Sequence, residues 1–127
     1  MQAGDLAGRE ELFRGFGRAW FKADMGLLYQ VVTPDFTWAG LDEAGQPRRL
    51  KGAEAIAAEL AAMRARAELR FSDVAYHHLP DLTVMTFRLR ETPRDGGPAR
   101  EYEGVELYSF RDGLICLKDV FRKPAGD

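Results

Sequence analysis

Cysteine is almost missing from this sequence: Cys116 is the only one. No internal disulfide can form, and a multi-thiolate metal site is excluded. Histidine is nearly as scarce, with His77 and His78 side by side, and no His, Asp or Glu cluster has metal-ligand spacing. No apolar run approaches the length of a membrane span, and the first residues lack the basic-then-apolar order of a signal peptide. These absences lead us to expect a chain in a reducing, cytoplasmic compartment, with neither metal nor membrane contact. Charge of one sign is lacking too. The 18 basic and 20 acidic residues are spread along the chain and leave a formal net charge of −2. There is no basic stripe for nucleic acid. No glycine-rich phosphate loop follows a strand, so no cofactor is expected. Repeats, low-complexity tracts and linkers are also absent, and 127 residues fit one domain, residues 1–127.

What is there is a globular composition, 46% hydrophobic, with eight Phe, four Tyr and two Trp. That is enough ring surface to line a cavity as well as fill a core. From about Gly8 to Ala23, Leu12, Phe13, Phe16, Ala19, Trp20 and Ala23 recur at helical spacing, with Glu10, Glu11, Arg14, Arg18 and Lys22 opposite. Asp24 stands where an N-cap belongs and opens a short second helix through Leu27, Leu28 and Tyr29. Thr33-Pro34-Asp35 ends it. Phe36-Thr37-Trp38 reads as a short strand, and Leu41 to Lys51 as loop. A third helix begins after Gly52, with Ala53, Ile56, Ala57, Leu60 and Met63 as its apolar stripe. Four strands follow, near Glu68–Tyr76, Leu82–Glu91, Arg100–Phe110 and Leu114–Arg122. Asp112-Gly113 between the last two is a hairpin signal. The order predicts an α+β fold, with helices gathered on one face of an antiparallel sheet.

Several segments, taken in order, carry a resemblance to a known superfamily. They are the first helix running into Asp24, then Val32-Thr33-Pro34-Asp35-Phe36-Thr37-Trp38, then Lys51-Gly52-Ala53-Glu54-Ala55-Ile56, and finally Val105 to Phe121 around the Asp-Gly turn. Together they resemble the nuclear transport factor 2-like superfamily, in its SnoaL-like and ketosteroid-isomerase-like branch. The resemblance implies one SnoaL-like domain: a cone-shaped, curved antiparallel sheet with three helices from the N-terminal half on its concave face. It also implies a pocket between helices and sheet, and a homodimer formed through the sheet. It implies no single reaction, since the superfamily holds isomerases, dehydratases, epoxide hydrolases, cyclases and non-catalytic domains. Of ketosteroid isomerase's parts, the general-base position falls on Gly40 and the first-helix tyrosine on Phe16. Only the acid of the oxyanion hole has a counterpart, Glu106. Limonene epoxide hydrolase is similar at Asp119 in the last strand and offers Arg88 for its arginine. Its second aspartate falls on Arg90, and its water-holding Tyr and Asn fall on Trp38 and Gly40.

The residues themselves single out the last hairpin. A two-residue turn at Asp112-Gly113 sets Phe110 opposite Ile115, Tyr108 opposite Leu117 and Glu106 opposite Asp119, all on one largely apolar face. Two carboxylates standing together on a buried face repel, and at least one is pushed toward its protonated form. That is the condition of a general acid or base. A bulge would instead send one carboxylate outward, and Lys118, Arg88 or Arg90 would then neutralise the pair as a structural network. On the first alternative Glu106 and Asp119 move a proton and Tyr108 donates to a developing oxyanion, in a cofactor-free isomerisation, cyclisation, dehydration or hydrolysis. On the second, the domain is a non-catalytic ligand-binding or dimeric interaction module. In either case Phe16, Trp20, Tyr29, Trp38, Met63, Met85, Phe87 and Phe121 are the expected pocket walls, and a small apolar or aromatic molecule is the expected partner. His77 and His78 sit at a strand end, with at most one of them turned inward, and Cys116 is expected to be inert.

Overall fold

The computed structural model describes residues 6–125. Helix α1, Leu6–Lys22, buries Phe13, Phe16 and Ala19 and leaves Arg14, Arg18 and Lys22 exposed. It stops where Ala23 takes a left-handed backbone (φ 53°), so that the Asp24 amide donates back to the Ala19 carbonyl at 2.9 Å. Asp24 caps α2, Met25–Leu28, by accepting from the Leu27 amide at 3.1 Å. Strands β1, Val32–Leu41, and β2, Pro47–Lys51, precede helix α3, Ala53–Arg66. Ile56 and Leu60 are the buried residues of α3. Strands β3, Ala67–Leu79, β4, Leu82–Pro93, β5, Arg100–Arg111, and β6, Leu114–Pro124, complete the chain. This is the expected α+β architecture of three helices against a curved sheet.

The sheet has six strands in the order β2-β1-β6-β5-β4-β3. All neighbours run antiparallel except β1 and β6, which are parallel. Two details differ from the sequence reading. The short strand at Phe36-Thr37-Trp38 is the middle of the ten-residue β1, whose register against β6 shifts between Val32 and Thr37. Pro34 lies inside that shift, because it has no amide to donate to a ladder. The segment expected to be loop holds β2, which pairs Leu50 with Trp38 and Arg48 with Gly40. Its Pro-Arg-Arg-Leu-Lys sequence carries one apolar residue, too few to show alternation.

On β4 the alternation is plain: Thr83, Met85, Phe87 and Leu89 are buried. The register aligns two rows across the concave face. One runs Tyr76, Met85, Glu106, Val120; the next runs His78, Thr83, Tyr108, Lys118, Trp38. Gly104 opposes Phe87, and a β-carbon there would fall 2.1 Å from the ring. Only glycine lets that ring lie against the strand.

Candidate functional site

The β5–β6 hairpin decides the site. Asp112 (φ 56°) and Gly113 (φ 78°) make the two-residue turn, and Phe110 does oppose Ile115. The next pairs are Ser109 with Leu117, Tyr108 with Lys118, Leu107 with Asp119 and Glu106 with Val120. One extra residue, Cys116, is inserted in β6, which is a bulge. From there on every β6 side chain changes face. The expected Glu106–Asp119 pair is therefore not formed. Asp119 stands on the outer face beside Leu107, and Phe121, placed among the pocket walls from sequence, is also outward and half-exposed. Val120 and Lys118, read as outward from the same count, point inward.

Lys118 is buried at 5% exposure, and its ammonium is 2.7 Å from Glu106 Oε1. It also donates to the Tyr108 hydroxyl at 3.1 Å, while Tyr108 donates to the same Glu106 oxygen. Rings close the remaining sides. Trp20, Tyr108 and Phe16 lie with centroids 4.6, 5.4 and 5.5 Å from the ammonium. Phe16 stacks on Trp20 at 5.3 Å, and Trp20 meets Trp38 edge-on at 4.7 Å. Burial raises the Tyr108 hydroxyl well above the ordinary tyrosine range, and the Glu106 charge adds to this. Tyr108 is thus a proton donor held in place. Glu106 Oε2 accepts no hydrogen bond from the described residues.

Of the remaining expected walls, Met85 and Phe87 are buried, and Tyr29 and Met63 pack partly buried against the core. The Tyr29 hydroxyl is enclosed without a partner among the described residues, and burial raises its pKa. Phe16 and Trp38 both pack against Trp20, and the Lys118 ammonium faces Phe16 and Trp20. Open space lies beside them, in a groove of about 480 Å³ between α1 and β3. Phe13, Gly17 and Arg18 line it from α1, and Tyr76 and His78 from β3. Phe13 touches both sides of this wall, with its ring 5.2 Å from Tyr76 and 4.8 Å from Tyr108. The groove thus ends one ring's thickness from the Tyr108–Glu106–Lys118 network.

Arg9 also went unread in the sequence, although its spacing to Phe13, Phe16 and Trp20 puts it on the apolar stripe of α1. It is 1% exposed, covers the Phe110 ring at 4.0 Å and donates to Thr83 Oγ1 at 2.9 Å and to the Leu79 and Pro80 carbonyls. Among the described residues no group of three or more His, Cys, Asp or Glu is placed to hold a metal ion, and no helix is long and apolar enough to cross a membrane.

The comparisons with known proteins agree with this architecture. The family model of the SnoaL-like domain matches residues 3–117, and the chain belongs to that family. An NTF2-like protein from Burkholderia xenovorans LB400 is 15% identical, with 92% of this chain and 90% of that chain covered and a TM-score of 0.77. A protein with a ketosteroid isomerase-like fold from Catenulispora acidiphila, in complex with trimethylamine, is 16% identical over 87% of this chain and 84% of that one (TM-score 0.68). A phenazine biosynthesis-related protein from Pseudomonas aeruginosa is 14% identical over 89% and 82% (TM-score 0.63). No curated protein matches the sequence. At these identities the structures speak to the fold.

Removing one member of a buried ion pair strands the other in a medium that solvates it poorly. Lys118→Met should therefore cost about 3–5 kcal/mol in urea unfolding. The double variant Lys118→Met/Glu106→Leu should recover most of that loss. A single variant within about 0.5 kcal/mol of wild type would mean that the pair is solvated.

Proposed function

We propose that this domain binds a small aromatic or weakly polar ring compound in the α1–β3 groove, without chemistry. The observation that carries the reading is the wall between groove and network. The groove is floored by the Phe13, Tyr76 and His78 rings, which suit a flat apolar ligand. Behind that floor, the groups able to move a proton are already committed. Tyr108 donates to Glu106, Lys118 neutralises Glu106, and the second carboxylate needed for a dyad is on the other face. The Catenulispora protein is in complex with a small amine. Here the chain's own ammonium already fills an aromatic shell, so a small cation is not the ligand we infer.

Proton transfer is the second reading, and the unengaged Glu106 Oε2 favours it. On that reading Tyr76 would move aside and the ligand would reach the carboxylate as hydrogen-bond donor or carbon acid.

Gly17 offers a clean test of the groove. A β-carbon at Gly17 meets nothing within 4 Å, so Gly17→Leu should fill the groove and leave the fold intact. A panel of naphthalene and indole derivatives should raise the melting temperature of wild type and not that of Gly17→Leu. A ligand at a hundred times its dissociation constant adds about 2.7 kcal/mol. No rise with any member, or the same rise in both proteins, would contradict the reading.

For the outer sheet face we propose a second copy of the chain. Val105 pairs there with the half-exposed Phe121, and Leu107 and Leu117 lie in adjacent rows, forming an apolar band that a partner would cover. A stable interface buries about 1,600 Å² in total. Sedimentation at tens of micromolar should show twice the chain mass. A species of one chain's mass alone would remove the dimer.

A further inference from the structure

The polar order at the rim of the groove names a narrower class of ligand. Thr83 is completely buried, and its hydroxyl accepts from Arg9 at 2.9 Å. A hydroxyl has one proton to give. The only other polar atom at hydrogen-bond distance among the described residues is Nδ1 of His78, at 2.9 Å. Thr83 therefore donates to Nδ1, which must be unprotonated, and the imidazole proton sits on Nε2. Arg9 fixes Thr83, Thr83 fixes the histidine tautomer, and the groove is left with a ring N–H for which no described residue is an acceptor. Burial and the Arg9 charge, with a smaller push from His77 and against the pull of Glu10, hold the His78 pKa below its ordinary value. The ring is a neutral donor near pH 7.

The surroundings of that donor are aromatic and positively charged. His78 lies nearly parallel to Tyr76, with centroids 6.0 Å apart at 13°, and both abut Phe13. Above these rings α1 presents Arg14 and Arg18, one turn apart on the groove, against a single carboxylate, Glu10. Arg14 spends part of its charge on the exposed Glu11, while Arg18 makes no ion pair among the described residues.

Resting on the reading above that the groove is a binding site, we propose that it selects planar aromatic carboxylates. The ring lies on Tyr76 and His78, and the carboxylate takes the Nε2 proton of His78 and faces Arg18. Charge-assisted donors to a carboxylate are about twice as strong as neutral ones. A neutral alcohol of the same shape should therefore bind through its ring with lower affinity.

Titration calorimetry near pH 7 with 2-naphthoate and with naphthalene-2-methanol tests this. Wild type should bind the carboxylate about tenfold or more tightly than the alcohol. Arg18→Gln, an exposed change, should remove much of that preference, and His78→Phe should remove the rest, read in each variant as the ratio of the two affinities. Because His78→Phe also strands Thr83, long-range proton–nitrogen NMR of wild-type His78 gives an independent check, in which only the Nε2-protonated tautomer should appear. Equal affinities, a tighter alcohol, an Nδ1-protonated ring or naphthoate binding that survives Gly17→Leu would overturn the proposal. Binding of the alcohol alone would sink the carboxylate class and leave the groove as a ligand site. Binding of neither compound would remove both readings together.

Discussion

A single ammonium group, that of Lys118, sits where three elements of this fold meet. Strand β6 supplies it, β5 supplies Glu106 and Tyr108, and α1 supplies Phe16 and Trp20. Taking a charge out of water is costly, and the site offsets that cost from all sides. A carboxylate oxygen at 2.7 Å, a phenol oxygen at 3.1 Å and two further ring faces replace the water. Each ring face contributes about 0.5–2 kcal/mol. Because these groups lie on different elements, the arrangement fixes how α1 crosses the sheet. The groove between α1 and β3 lies beside this polar centre, with Phe13 in contact with both Tyr108 and Tyr76.

The Cys116 bulge is what brings Lys118 inward. Without the inserted residue, Asp119 would take the place beside Glu106 and two carboxylates would share an apolar face. With it, a carboxylate meets an ammonium, and repulsion becomes attraction. A one-residue shift thus separates two different chemistries. One is a dyad suited to proton transfer; the other is a buried ion pair between Lys118 and Glu106. The same logic extends to the flank, where a second buried cation, Arg9, acts through Thr83 on His78. In both places a cation inside the fold sets the donor or acceptor that lies nearest the groove.

Much of this was legible in the residues. Asp24 announced a cap, Gly52 a helix start and Asp112-Gly113 a tight turn, and all three are realised. The order of helices and strands gave the α+β class, and four segments in sequence carried the resemblance to the SnoaL-like family, whose model matches residues 3–117. Three features were not readable, for separable reasons. The bulge leaves no local mark, because Ile115 and Leu117 on one count and Val120 on the other make either register look half apolar. Strand β2 hides in Pro-Arg-Arg-Leu-Lys, where pairing with β1 outweighs composition. Arg9 stood on the apolar stripe at the correct spacing, but a charged residue is not counted by a hydrophobic pattern. Its burial depends on acceptors some 70 positions away, at Leu79, Pro80 and Thr83. The approach of the Lys118 ammonium to Phe16 and Trp20 was equally unreadable, because it follows from the bulge.

Register is the central claim, since the ion pair and the outward Asp119 both follow from it. The most direct measurement is the set of cross-strand nuclear Overhauser contacts in the β5–β6 hairpin. The bulged register predicts contacts joining Tyr108 with Lys118 and Glu106 with Val120 across the ladder. It also predicts Lys118 side-chain contacts to the Trp20 ring. Contacts joining Tyr108 with Leu117 and Glu106 with Asp119 would contradict it, and would restore two facing carboxylates to the heart of the domain.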